Sequence, residues 1–241
     1  MSAHVEATRL RIKIFADGAD LEGMLEYASN PLIKGFTTNP TLMHRAGITD
    51  YEAFAREVLT HITDRPISFE VFSDEFDEMH RQAQKLAAFG PNVVVKIPVT
   101  NTRRESAGPL IAELASEGIP LNVTAVMTVE QVRSVSGNLA GGAPSIISVF
   151  AGRIADTGRD PVPLMQAALN HTNSCDNVEL LWASPRELLN IIQADEMGCD
   201  IITVTHDVLK KLGGLGKDLD QFSLETVKMF ANDAATAGFS L

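Results

Sequence analysis

The sequence predicts an α/β protein whose β/α units close into a single (β/α)8 TIM barrel, with one additional helix at the C-terminal end. Two observations carry this expectation. Eight short apolar runs, rich in β-branched residues, alternate with helical patterns along all 241 residues, with no linker or shift in composition between them. Continuous apolar runs of this length are the signature of parallel strands buried on both faces. Eight such units in one domain of this size favour closure, and an open doubly wound sheet is the alternative. The glycine-rich dinucleotide fingerprint is absent after the first strand, which argues against a Rossmann arrangement.

In chain order, the strand candidates are Arg11–Asp17, Gly35–Asn39, Ile67–Phe72 and Asn92–Val99, followed by Pro120–Val126, Ser145–Phe150, Val178–Ser184 and Asp200–Val204. Helical periodicity is clearest over Tyr51–Ile62, Phe76–Phe89, Arg103–Glu117, Val129–Leu139, Pro161–His171 and Glu187–Met197. Gly90, Gly118 and Gly198 stand where helices hand over to strands, the position of a glycine C-cap. The whole chain, 1–241, reads as one domain. Its last segment, 218–238, places Leu219, Phe222, Val227, Phe230 and Ala234 on one face, as a closing helix or one that packs on a neighbouring subunit.

The formal net charge of -11 disfavours a nucleic-acid backbone as partner. Cys175 and Cys199 lack metal-type spacing and read as free thiols of a reducing compartment, so the expected location is the cytoplasm. Met1 to Arg11 contain no apolar core of signal-peptide length, and no apolar run is long enough to span a membrane.

The most informative strand is Asn92–Val99, because it carries Lys96 inside a valine run. Lysine is rarely buried without a partner, and an amine in a dry site becomes the kind of nucleophile that forms Schiff bases. A snorkelling lysine at a strand end is the plainer explanation of this strand alone. The other strands alter the balance. Asp17, Thr38, Asn39, Glu70, Asn122, Thr124, Ser148 and Ser184 all stand near C-terminal strand ends, where a barrel gathers its active site. Each also has a structural explanation. Asp17-Gly18 fits a turn or N-cap, Asn39-Pro40 a turn, and Glu70 a buried counter-ion for Lys96. Ser184-Pro185-Arg186-Glu187 has the form of a capping box, which also makes a helix N-terminus suited to phosphate, with Arg186 and Arg153 as further donors.

The chain resembles the transaldolases over nearly its whole length. The resemblance rests on Ala16-Asp17, Thr37-Thr38-Asn39-Pro40-Thr41-Leu42, Phe69-Glu70-Val71, Val95-Lys96-Ile97-Pro98, Asn122-Val123-Thr124, Ser148-Val149-Phe150-Ala151-Gly152-Arg153-Ile154 and Ala183-Ser184-Pro185-Arg186. It implies a metal-free, cofactor-free class I mechanism on sugar phosphates. Lys96 forms an imine with a ketose phosphate, Asp17 exchanges the C4 hydroxyl proton, and Glu70 with Thr124 holds a proton-shuttling water. Thr38, Asn39, Asn122, Ser148 and Phe150 then belong to the substrate-binding set, and Arg153, Ser184 and Arg186 bind the phosphate. The same family has a branch of short fructose-6-phosphate aldolases that release free dihydroxyacetone. The short length here matches that branch, whereas Glu70 in place of glutamine, Met127 in place of tyrosine, and Phe150 favour transfer. Trp182 and the Asn101-Thr102-Arg103-Arg104 stretch depart from the pattern and suggest a specialised sugar. The resemblance also implies a homo-oligomer, a decamer or a dimer. Two rival readings are a metal enzyme using His206 and Asp207, and a sugar-phosphate binding protein without catalysis.

Overall fold

In the computed structural model, which describes residues 10–240, eight parallel strands form one closed barrel in the order of the sequence. The strands are β1 (Lys13–Asp17), β2 (Ile33–Thr37), β3 (Ile67–Glu70), β4 (Val93–Pro98), β5 (Leu121–Val126), β6 (Ser145–Val149), β7 (Val178–Trp182) and β8 (Ile201–Thr205). The predicted closure is observed: β1 pairs with both β2 and β8. The reading of Met1 to Arg11 falls, up to residue 9, outside the described residues. Among the described residues no helix is long and apolar enough to cross a membrane.

Around the barrel run α1 (Leu21–Ala28), α2 (Pro40–Arg45), α3 (Tyr51–His61), α4 (Phe76–Ala87), α5 (Gly108–Ser116), α6 (Val129–Leu139), α7 (Ala151–Ala155), α8 (Val162–Thr172), α9 (Leu189–Glu196), α10 (His206–Leu209) and α11 (Leu219–Ala237). Their starts follow local chemistry. Asp20, Asn39, Asp50 and Asp218 each accept a backbone N–H of the first turn, and Thr128 with Gln131 forms a full capping box before α6. Gly118 and Gly198 take the left-handed backbone that a C-terminal glycine allows, with φ of 83° and 80°; Gly90 does not.

Two expected helix starts are corrected. α5 begins at Gly108 and not at Arg103, because Arg104 adopts a left-handed backbone (φ 65°) and the Asn101 side chain accepts from the N–H groups of both Arg103 and Glu105. α9 begins at Leu189, and Ser184 caps nothing. Ser184 itself lies at φ 57°, whereas an N-cap requires extended backbone.

Alternation along each strand separates two cores. One face of every strand packs Ile, Val and Leu against the helices; the other fills the barrel. Phe15, Val94, Ile146, Leu181, Ala183 and Ile201 form the interior plug. Phe15 reaches across to β2, where Gly35 leaves room: a Cβ there would stand 2.6 Å from the ring. The same parity brings Asp17, Glu70, Lys96 and Ser148, each two residues along or one step around in register, into the space above the plug.

Candidate active site

Above the apolar plug, the C-terminal mouth of the barrel holds a cavity of about 560 Å³. Asp17, Glu70, Lys96, Thr124, Asn39, Ser148, Phe150, Arg153, Ser184 and Arg186 all line it. Ten of the twelve side chains proposed from the sequence therefore meet at one place.

Lys96 is the floor. It is buried on β4, and its Nζ lies 3.1 Å from Glu70 Oε2 and donates to the Thr38 carbonyl oxygen at 2.7 Å. Glu70 sits on the neighbouring strand, directly opposite Lys96 in register. Its backbone is clamped by Tyr51 from α3, whose hydroxyl donates to the Glu70 carbonyl and accepts from the Glu70 N–H, each at 2.8 Å. No spacing in the sequence signals Tyr51, because it arrives from a helix start 19 residues upstream.

Asp17 ends β1. Its Oδ1 accepts from Thr37 Oγ1 at 2.7 Å, and Thr37 Oγ1 lies 2.5 Å from Thr203 Oγ1 on β8. Burial raises the Asp17 carboxyl above its ordinary 3.8, and Lys96, the Thr37 hydroxyl and His206 oppose that rise. Asp17 is not a cap: Asp20 caps α1.

Two of the proposed residues stand elsewhere. Thr38 does not line the cavity. Its neighbour Thr37 takes the inward direction, and Thr38 Oγ1 donates to the Ser68 carbonyl at 2.8 Å while its own carbonyl receives Lys96. Asn122 is fully buried one layer below; it donates to Ser68 Oγ at 3.1 Å and accepts from Ser148 Oγ at 2.6 Å. It thus sets the position of Ser148. Thr124 Oγ1 is buried without a hydrogen-bond partner among the described residues. Just beyond it, Ala125 adopts φ 61° at a break in the β5–β6 register. With Ser184, that makes two non-glycine residues of the cavity wall in the left-handed region.

The rim is cationic on a protein of net charge -11. Arg153 lies over the Phe150 ring at 5.4 Å. Arg186 forms a two-pronged pair with Asp156, through Nε to Oδ1 at 2.9 Å and Nη2 to Oδ2, and this pairing holds Arg186 above and Asp156 below their ordinary pKa values. Arg45, from α2, lines the opposite rim. Ser184 turns tightly against α7: a Cβ on Gly152 would lie 1.5 Å from the Ser184 carbonyl oxygen, so only glycine fits there.

Neither unusual stretch reaches the site. Trp182 is buried in the core between barrel and helices. Arg103 is spent in ion pairs with Glu75, Glu105 and Asp74, and the 101–104 segment does not line the cavity. Both residues therefore lose their value as pointers to a specialised sugar. His206 begins α10 against Tyr27, with ring centroids 4.6 Å apart, and among the described residues no group of potential metal ligands includes it.

A closed parallel barrel with a buried lysine–carboxylate pair at its C-terminal mouth is a (β/α)8 barrel whose polar cavity lies at the end where such barrels carry their active sites. The family model described as transaldolase/fructose-6-phosphate aldolase matches residues 14–241. Curated relatives agree. A "Probable transaldolase" of Dehalococcoides mccartyi is 33% identical over 202 residues, covering 83% of this chain and 90% of the relative. One from Nitrosopumilus maritimus is 33% identical over 203 residues, covering 83% and 87%. The chain belongs to the transaldolase/fructose-6-phosphate aldolase family. Among solved structures, dihydrodipicolinate synthase from Rhodopseudomonas palustris superposes with a TM-score of 0.57 at 14% identity, over 93% of this chain and 81% of that one. At that identity the likeness concerns the fold alone.

Proposed function

We propose that this chain is a transaldolase that moves a dihydroxyacetone unit from a ketose phosphate to an aldose phosphate through a Schiff base on Lys96. The observation that carries the reading is the Lys96 amine, buried beside Glu70 at 3.1 Å and sharing one cavity with the buried Asp17 carboxyl. Lys96 adds to the ketose C2 carbonyl, and loss of water gives the iminium. Glu70, with the free Thr124 hydroxyl, is suited to relay protons in that step through a water. Asp17 takes the C4 hydroxyl proton, the C3–C4 bond breaks, and its electron pair enters the iminium to give an enamine. The aldose phosphate leaves. An acceptor aldehyde is then attacked by C3, Asp17 returns its proton to the new hydroxyl, and hydrolysis frees Lys96. Asn39 and Ser148 orient the hydroxyls of the bound unit, with Asn122 fixing Ser148 from below. Arg153, Ser184 and Arg186 hold the phosphate, and Phe150 walls the cavity.

Such chemistry belongs to carbohydrate metabolism, among the cytoplasmic sugar-phosphate exchanges of the pentose phosphate pathway. The second member of the family description, aldol cleavage to free dihydroxyacetone, uses the same imine. Glu70 and Met127 in the cavity, with no tyrosine lining it among the described residues, favour transfer. With fructose 6-phosphate and erythrose 4-phosphate the expected product is the seven-carbon ketose phosphate; rapid release of dihydroxyacetone without an acceptor would reassign the chain to the aldolases.

The reading includes assembly with further copies. No residue of α11 is buried, and Leu219, Phe222, Val227 and Phe230 are each more than half exposed. A helix with that much apolar surface needs a partner. Light scattering is expected to give a mass of at least two chains; a single-chain mass would refute the assembly.

A further inference from the structure

We infer that Thr203, at the end of β8, is a positioning residue that aims the Thr37 hydroxyl at Asp17 and so keeps the Asp17 carboxyl ready to accept a proton. The inference rests on the reading of Asp17 as the base for the C4 hydroxyl.

Donor counting gives the direction. A threonine hydroxyl has one proton and two acceptor lone pairs, and an ionised carboxylate only accepts. Thr37 Oγ1 stands 2.7 Å from Asp17 Oδ1, so its single proton is directed there. The 2.5 Å contact between Thr37 and Thr203 then has one assignment left: Thr203 donates and Thr37 accepts. The order is Thr203 to Thr37 to Asp17, across three adjacent strands, β8, β1 and β2. Thr37 and Thr203 are both buried at the bottom of the cavity. A hydroxyl that accepts a hydrogen bond becomes a better donor, so the outer threonine strengthens the inner contact.

The groups that face Asp17 are Lys96 on β4, Glu70 on β3, His206 on α10 and Thr37 on β2. Lys96, Thr37 and His206 favour the carboxylate; burial and Glu70 oppose it. Of these, Thr37 is the one that hydrogen-bonds Asp17 among the described residues, and its hydroxyl in turn contacts the Thr203 side chain. Without Thr203, the Thr37 hydroxyl is free to rotate away, and protonated Asp17 gains relative to ionised Asp17.

The test compares wild type, Thr203→Val and Thr203→Ser in the full chain. Valine keeps the shape and removes the donor; serine restores the donor. The readout is the titration of the Asp17 carboxyl carbon by NMR, assigned by its disappearance in Asp17→Asn, alongside the pH dependence of kcat/KM. Thr203→Val is expected to move the Asp17 titration and the acid limb upward by roughly half to one pH unit, which lowers kcat/KM about three- to tenfold below the limb. Thr203→Ser should return both to the wild-type position. A titration unmoved in Thr203→Val, or equally displaced in Thr203→Ser, would overturn the inference. The carbon titration needs no turnover, so it decides the role of Thr203 even if the transaldolase reading fails in its own assay.

Discussion

Lys96→Met should abolish transfer, with kcat reduced by about four orders of magnitude or more. Methionine keeps the length and apolar stem of lysine, so the valine-rich strand retains its packing. What it lacks is the amine, and among the described residues no other lysine lines the cavity. The loss should fall on kcat. The rim cations are untouched, so calorimetry is expected to find ketose phosphate binding within about tenfold of wild type. Stability should fall as well, because the 2.7 Å bond to the Thr38 carbonyl is lost and Glu70 is left without its counter-ion. The expected loss is about 1–3 kcal/mol, seen as a lower Tm in a circular-dichroism melt. Wild-type-like turnover would exclude Lys96 as the nucleophile.

Asp17→Asn is expected to slow the reaction by about a hundred- to ten-thousandfold and yet raise the melting temperature wherever Asp17 is ionised. The sign follows from the buried carboxyl. Its folded pKa is raised above the ordinary 3.8, chiefly by burial. A group of this kind contributes stability that is fully present below its unfolded pKa and is lost as the pH rises through its folded pKa. Once ionised, the carboxylate therefore weighs against the fold. An amide of the same shape removes that charge and keeps an oxygen to accept from Thr37. Each kcal/mol gained should appear as about 2–4 °C in Tm for a domain of this size. The gain should shrink as the pH falls through the folded Asp17 pKa, where wild type is itself neutral. A variant less stable than wild type across the range would contradict the assignment of Asp17 as a buried, destabilising base.

The barrel was legible because its strands are short apolar runs buried on both faces, and the helices between them have periodic apolar faces, two of them closed by the left-handed glycines Gly118 and Gly198. Most of the site was legible for a related reason: Lys96 and Glu70 are the lone charges of β4 and β3, and Asp17 closes the apolar run of β1. Parity was not. Thr37 and Thr38 are adjacent and identical, and only the register of β2 against its neighbours tells that Thr37 faces Asp17 while Thr38 supplies a carbonyl to Lys96. Depth was equally hidden, since Asn122 and Thr124 share one face of β5 but lie at different levels. The Ser184 segment has the letters of a capping box, but its backbone is set by the close approach to Gly152, a contact across 32 positions. Tyr51, Arg45 and Thr203 reach the cavity region from elements whose local sequence gives no sign of it.

The central claim is that Lys96 forms the covalent intermediate. Borohydride reduction in the presence of fructose 6-phosphate, followed by peptide mass mapping, tests it most directly. The predicted result is a reduced three-carbon or six-carbon adduct on the peptide that contains Lys96, absent without sugar and absent in Lys96→Met. Demonstrated turnover with no label on Lys96, or a sugar-dependent label on a different lysine, would contradict it.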